Sequence, residues 1–289
     1  MAQATYPPPV ATSRDDLAAT AKSTSRELHL APSLLVFLAS KQRKTLGTLP
    51  EAAWHPEASL LNSYIEEGIP VHTVPPWSIR ALETAIVKVP HSSACTPEMA
   101  AFIWGEMQQR IQDGFSILFP AADAVHMFGS NIKLSCIAAV PRAHCQPCLI
   151  LKLLEKSDEG TPSVNDTNDR EFSPGSMQFG RAFPYVLQKI WEADPVQGPV
   201  QVSKLDFADA YHCVTLCPYQ VGAFAYVVPS ASVEEGCIIC IDLVLPMVWV
   251  DLPNFFCAFL ETLTDVTNAL VDTDFPVPSY GTISKIPAT

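Results

Sequence analysis

The sequence is short of basic residues and of glycine motifs, and each shortage excludes a class of protein. Its 18 lysines and arginines stand against 30 acidic residues, so the net charge is −12 and the chain as a whole repels a phosphate backbone. The 12 glycines form neither a Gly-x-x-x-x-Gly-Lys loop nor a Rossmann pattern, and no Ser-His-Asp arrangement has motif support. We therefore do not expect a P-loop enzyme, a Rossmann enzyme or a triad hydrolase.

The sequence also lacks a long apolar run. APSLLVFLAS is too short to span a bilayer, and CIICIDLVLPMVWV is interrupted by Asp242 and Pro246. The first residues, MAQATYPPPVA, do not contain the apolar core of a signal peptide. We therefore expect an intracellular protein, nuclear or cytoplasmic, without a membrane partner, whose nine cysteines are reduced thiols.

Composition divides the chain into three parts. Residues 1–30 are rich in Pro, Ser, Thr and Ala, which predicts a disordered N-terminus. Residues 31–90 combine short helical patterns with the proline-rich linker IPVHTVPPW, and residues 91–289 mix helical and strand patterns. Because helices fall between strands that need not pair in sequence order, we predict an α+β fold rather than a regular βαβ repeat.

Several elements of the third part have clear signals. CTPEMAAFIWGEMQQRIQDGF predicts a helix with Thr96 as N-cap and Pro97 at the first helical position. LPNFFCAFLETLTDVTNALVD predicts a second helix with one apolar side. The predicted strands are SILFP, KLSCIAAVP, VQVSKLDFA, GAFAYVVPS and CIICIDLVLP.

One of these strands carries charges that a buried strand should not have. VSKLDFADAYHCVTL places Asp206 and Asp209 three residues apart in an apolar segment. An unpaired buried carboxylate is costly, so such a group has a hydrogen-bond partner or a metal. Taken alone, Asp206 also fits a hydrogen-bonded carboxylate at a strand end, and Tyr211 and Trp249 fit core aromatic residues.

Segments that follow one another along the chain resemble the reverse transcriptases of long-terminal-repeat retroelements. KLDFADAY resembles the first palm motif, in which an apolar residue precedes an Asp, and a second Asp, an Ala and an aromatic residue follow. LPMVWVDLPNFF resembles the next motif, Leu-Pro-x-Gly-Trp followed by Ser-Pro and an aromatic residue. Upstream, GTPSVNDTNDR and GSMQFGRAFPYVL resemble the approach from the fingers to the palm.

The resemblance implies the fingers and partial palm of a right-hand polymerase over residues 91–289, and RNA-directed DNA polymerisation as the family activity. Two metal ions roughly 3.5–4 Å apart serve such a reaction, and Mg²⁺ favours oxygen ligands. By the resemblance, Asp206 is the catalytic metal ligand and the carbonyl of Phe207 is a second ligand. Mg²⁺ is then the cofactor, and an RNA/DNA template–primer and deoxynucleoside triphosphates are the partners.

The resemblance also assigns positions around the nucleotide. Tyr211 would lie under the incoming sugar, where its bulk rejects a 2′ hydroxyl. Asp209 and Ala210 would line the triphosphate pocket. The positions near template, nucleotide or phosphates are Lys204, Pro246, Met247 and Trp249.

The sequence departs from the family pattern where catalysis needs it most. The hairpin Tyr-x-Asp-Asp, which supplies the other metal carboxylates, does not occur in these residues; VDTD, residues 271–274, ends a predicted helix instead. Val248 replaces the motif glycine, so we expect a β-branched side chain to crowd nucleotide or template. Leu252 replaces the motif serine, and the fingers segment CLILKLL lacks expected polar residues. We therefore expect a truncated copy that is inactive or very weak.

Two alternatives remain open. One is a non-catalytic interaction fragment that associates, with itself or a partner, through exposed apolar surface. The other is a zinc-binding module, because HCQPC offers His144, Cys145 and Cys148, and CIIC offers Cys237 and Cys240. The last two cysteines fall in a predicted strand, where an odd separation puts them on opposite faces.

Overall fold

The computed structural model of the chain describes residues 12–43, 47, 53–87, 94, 96–142, 145–156, 160–172, 174, 187–188, 190–200, 210–230 and 236–272. Within these residues the fold is α+β, as predicted, with one five-stranded sheet. The helices are α1 (Arg14–Leu30), α2 (Leu34–Lys41), α3 (Ala58–Glu67), α4 (Ile79–Val87), α5 (Pro97–Gln112), α6 (Ala121–Phe128) and α7 (Leu252–Asp272). The strands are β1 (Ser116–Pro120), β2 (Leu134–Arg142), β3 (Cys145–Lys152), β4 (Ala225–Val227) and β5 (Ile238–Asp242).

The sheet has the order β1-β5-β4-β2-β3 and is mixed. Strand β5 pairs antiparallel with β1 on one side, where Ser116 lies opposite Asp242, and with β4 on the other. Strands β2 and β4 pair in parallel, and β2 and β3 pair antiparallel with an irregularity between Val140 and Arg142. The predicted strands SILFP, KLSCIAAVP, GAFAYVVPS and CIICIDLVLP all contribute, whereas VQVSKLDFA lies almost wholly outside the described residues.

Alternating side chains divide the sheet into two buried faces. Leu118 and Cys240 lie in a cluster with apolar residues of α1 and α5. Phe119 and Ile239, one position away, lie in a larger cluster with residues of α2, α3, α4, α6 and α7. The period of two expected for strands therefore places helices on both faces. Within the residues described, no helix combines the length and apolar character needed to cross a bilayer.

The structure differs from the prediction of disorder for residues 1–30, because Arg14–Leu30 form helix α1. The Ser13 side chain accepts from the Asp16 backbone and the Asp16 carboxylate accepts from the Ser13 backbone, which is a capping box. Leu17 and Ala21 are buried against the sheet. The average composition of residues 1–30 did not indicate this helix, because the helix contains few apolar residues. Residues 1–11 lie outside the described residues.

The proline-rich segment predicted as a linker runs between two distant parts of the chain and bonds to both. Ile69, Val71 and Trp77 are buried. The backbone hydrogen bonds are Ile69 N to Thr215 O (2.8 Å), Cys217 N to Ile69 O (2.8 Å), Asp169 N to His72 O (2.8 Å) and Val74 N to Thr167 O (2.6 Å). Residues on both sides of position 90 thus share one core. The division into a helical extension and a polymerase-like part stays a prediction.

Gly68 directly precedes the segment Ile69–Trp77 and provides a test of how closely this segment packs. Its φ is +86°, and a Cβ there would lie 2.5–2.6 Å from backbone atoms of Leu216 and Cys217. We expect Gly68→Ala to lower the free energy of unfolding by about 2 kcal/mol or more, because strain and a backbone clash combine. Urea denaturation measures this. Gly47→Ala is the matched control, since a Cβ at Gly47 meets nothing within 4 Å. Equal stabilities for the two variants would contradict the close approach.

Lys133 generates a prediction about pH. It is fully buried, its Nζ donates to the Pro75 carbonyl at 2.9 Å, and it lies 5.8 Å from the centroid of the Trp77 ring. Burial lowers the pKa of Lys133 from 10.5 to about 8. Between pH 8 and 10.5 the unfolded chain therefore binds more protons than the folded chain, and stability rises with pH.

We expect the free energy of unfolding of the unmodified chain to rise by about 3 kcal/mol relative to Lys133→Met between pH 7.5 and 10.5, at 1.36 kcal/mol per pKa unit. Chemical denaturation at both pH values measures the difference. Lys22→Met, at an exposed lysine of α1, is the control and should show no such trend. A flat difference for Lys133→Met would contradict the buried, charge-disfavouring site.

Candidate functional site

The structure describes some of the predicted site residues and not others. Lys204, Asp206, Phe207 and Asp209 lie outside the described residues. The others are Ala210, Tyr211, Pro246, Met247 and Trp249, and their surroundings are described. The candidate site is therefore built from the segments that directly follow the two aspartates and the strand β5.

The segment after the aspartates begins with a single 3-10 turn, Ala210–Cys213. Tyr211 is half-buried in this turn, and its ring meets the Phe256 ring of α7 edge to face, with centroids 4.8 Å apart and planes at 74°. Such a geometry is favourable for aromatic pairs. Tyr211 is thus held against the helix that follows the second motif.

Backbone pairing continues this contact. Leu216 N donates to Leu243 O at 2.9 Å and Leu245 N donates to Val214 O at 3.1 Å, with an antiparallel bridge between Thr215 and Val244. Residues 214–216 and 243–245, about thirty positions apart in sequence, therefore lie side by side.

Residues Pro246–Trp249 form a tight turn between this pairing and α7. Trp249 N donates to Pro246 O at 3.1 Å. Met247 and Val248 are exposed at its tip, whereas Trp249 is buried and its ring stacks on Phe255 with centroids 5.3 Å apart. The turn thus presents two apolar side chains outward on a fixed aromatic base.

Two asparagines that the sequence analysis did not single out hold this turn. Asn165 Nδ2 donates to Val248 O at 3.1 Å, and Asn165 Oδ1 accepts from Val250 N at 3.2 Å. Asn168 Oδ1 accepts from Trp249 Nε1 at 3.0 Å, and Asn168 Nδ2 donates to the Asp251 carboxylate. Both belong to VNDTN, so their residue type signalled a loop, but nothing in the sequence indicated which residues they contact.

A second polar group lies next to the 3-10 turn. Asp242 is fully buried, and its Oδ1 accepts from Arg110 Nη2 at 3.0 Å and from Ser116 Oγ at 2.7 Å. Arg110 Nη1 also faces His212 Nε2 at 3.2 Å, and the His212 ring packs on Phe115. Burial by itself lowers the pKa of Arg110, but the Asp242 carboxylate outweighs it, so the net pKa lies above its ordinary value. The guanidinium therefore joins α5, β1 and β5 to the residue after Tyr211.

Metal binding receives no support from the part of the chain described. Within those residues, no group of three His, Cys, Asp or Glu side chains lies close enough to hold a metal ion. Cys240 is buried in β5, and burial raises its pKa to about 12, so its thiol stays protonated. Burial also raises the pKa of Cys237. Of the other proposed zinc ligands, His144 lies outside the described residues, and Cys145 and Cys148 belong to strand β3 rather than to a loop.

The chain matches no protein-family model and no curated protein.

The buried ion pair generates a stability prediction. Removing one partner leaves a buried charge unpaired, so we expect Asp242→Asn and Arg110→Met each to lower the free energy of unfolding by about 3–5 kcal/mol. The double variant Arg110→Met with Asp242→Leu should recover most of this loss, because it buries no charge. Urea denaturation measures all three.

Asp15→Asn, at an exposed carboxylate of α1, is the control, with an expected change below about 1 kcal/mol. A double variant that is no more stable than either single one would mean that the ion pair itself, rather than an unpaired charge, determines the loss.

Proposed function

We propose that residues 91–289 are the fingers and partial palm of a retroelement reverse transcriptase, and that this chain by itself does not polymerise DNA. Asp206 is the metal ligand of the family site, with the Phe207 carbonyl beside it. Asp209, Ala210 and Tyr211 belong to the nucleotide pocket, and Lys204, Pro246, Met247 and Trp249 flank template and nucleotide. The natural ligand is an RNA/DNA template–primer.

One observation carries the proposal: Tyr211 of KLDFADAY and Asn165 of GTPSVNDTNDR both contact residues of LPMVWVDLPNFF. Tyr211, two residues after Asp209, packs on Phe256 of α7. The VNDTN loop bonds through Asn165 to the turn that precedes α7. A nucleotide pocket built from these motifs requires such contacts, and this supports the proposal. The proposal rests on these contacts and on the motifs.

The donor set does not suit two Mg²⁺ ions. The motifs offer one carboxylate, Asp206, and one carbonyl, Phe207, whereas each Mg²⁺ requires near-octahedral oxygen coordination. The described residues add no cluster of three ligating side chains. Without the remaining carboxylates the transition state loses its main electrostatic stabilisation. We therefore assign to this chain binding of template–primer and no step of nucleotidyl transfer.

Charge limits the strength of that binding. The net charge of −12 opposes association with a polyanion, so contacts must come from local groups and from aromatic or apolar side chains. Tyr211 is half-buried and Met247 and Val248 are exposed, which suits contact with sugar and base rather than with phosphate.

A non-catalytic interaction fragment is the second candidate, because apolar side chains are exposed beyond the site. Leu187 is 49% exposed and Ile190 is 41% exposed. Trp191 and Val196 are 89% and 87% exposed. Such residues favour association with a second copy of the chain or another protein.

The test uses a fluorescent RNA–DNA hybrid with a recessed 3′ DNA end. We expect the chain to bind it at low salt and to extend it in neither Mg²⁺ nor Mn²⁺. Tyr211→Ala should weaken binding by about fivefold or more, because an aromatic contact with one nucleotide contributes about 1–3 kcal/mol. Fluorescence anisotropy measures binding, and primer extension beside Asp206→Asn measures chemistry.

Tyr219→Ala is the matched control, since Tyr219 is exposed and belongs to none of the segments quoted for the resemblance; the affinity of this variant for the hybrid should not change. Extension that disappears in Asp206→Asn would overturn the claim of inactivity. No hybrid binding, together with a mass in sedimentation that rises with concentration, would favour the interaction fragment instead.

A further inference from the structure

The turn Pro246–Trp249 is held by hydrogen bonds from a separate loop, and these bonds determine which side chains the turn exposes. Asn165 contacts the turn through the backbone of Val248 and Val250, once as donor and once as acceptor. A single side chain amide thus replaces the pairing that a neighbouring strand would supply. The backbone on both sides of Trp249 is bonded to one residue.

Asn168 adds two side-chain hydrogen bonds at the base of the turn. Its Oδ1 accepts from the buried Trp249 indole at 3.0 Å and its Nδ2 donates to Asp251, which is also buried. The indole sets the orientation of the turn, and Asp251 immediately precedes α7. Asn168 therefore connects the base of the turn to the start of the helix.

The loop that carries both asparagines is itself fixed. Ser163 N donates to Asp166 Oδ2 and Asp166 N donates to Ser163 Oγ, both at 3.2 Å. Residues 72–74 bond to the same loop on its other side, through the hydrogen bonds of His72 and Val74 given above. The asparagine side chains thus start from a backbone anchored at both flanks.

We propose that Asn165 and Asn168 are positioning residues that hold Met247 and Val248 outward as a preformed contact for the template–primer. The inference rests on the proposed function for the identity of the ligand, and on the described hydrogen bonds for the clamp. It also explains why Val248 is tolerated: its carbonyl is bound by Asn165, while its side chain stays at the exposed tip.

The chain offers a matched rescue. In Asn168→Asp the new carboxylate faces the Asp251 carboxylate, so the clamp opens by repulsion although the residues keep their size. In the double variant Asn168→Asp with Asp251→Asn, the carboxylate at position 168 accepts from both Trp249 Nε1 and the new amide. The hydrogen bonds are restored with their direction reversed at one contact.

We expect Asn165→Ala and Asn168→Asp each to weaken binding of the RNA–DNA hybrid by about fivefold or more, and the double variant to return to within about twofold of the unmodified chain. Hydrogen exchange at the Trp249 and Val250 amides should accelerate about tenfold in both single variants. Asn131→Ala, at an exposed asparagine outside the segments quoted for the resemblance, is the control and should change neither quantity.

The two readouts separate the possible failures. Weakened binding without rescue by the double variant, or unchanged exchange in both single variants, overturns the clamp. Faster exchange with unchanged hybrid affinity overturns its role in positioning. If the unmodified chain binds no hybrid, the proposed function fails, and the positioning role fails with it, while exchange still decides whether the asparagines hold the turn.

Discussion

A carboxylate buried in strand β5 determines how the surrounding elements are arranged. Asp242 lies between β1 and the helix α5, and a charge in this position needs partners. Ser116 supplies one hydrogen bond and Arg110 another, so the register of β1 and the rotation of α5 are both tied to one oxygen atom. An apolar residue would fill the same space without imposing such directions.

The guanidinium of Arg110 also contacts the candidate site. Arg110 meets His212, and the preceding residue, Tyr211, packs on α7. The turn before α7 has an independent anchor in Asn165. Directional polar contacts and aromatic packing on α7 therefore hold the candidate site together.

Elements with strong local signals could be predicted from the sequence. Thr96 caps α5 and accepts from the Met99 amide as expected, and α7 begins within its predicted segment. Helix α1 was missed because its few apolar residues are diluted by polar neighbours, although the Ser13 capping box was readable. The pairing of residues 69–75 was missed because their hydrogen bonds go to residues about a hundred or more positions away, which local composition does not reveal.

Residues of the candidate site could be predicted from the sequence only where they belong to a motif that resembles a known family. Tyr211 and Trp249 come from the resemblance, and the structure places both against α7, while their roles stay a prediction. Arg110 and Asp242 are 132 positions apart, and Asn165 and Val248 are 83 apart. Such pairs leave no periodic trace, so Asp242 was visible only as a break in an apolar run, and the asparagines only as loop residues.

The departures from the family pattern fall where the fold does not need the original residue. Val248 is 39% exposed, so its side chain costs the core nothing and affects only what approaches the turn. Leu252 is buried in the main core, where an apolar residue contributes more packing than a serine. Neither side chain takes part in the hydrogen bonds that hold the turn, so the fold is compatible with both residues. Stability alone therefore does not require either position to keep the residue of the resembled motif.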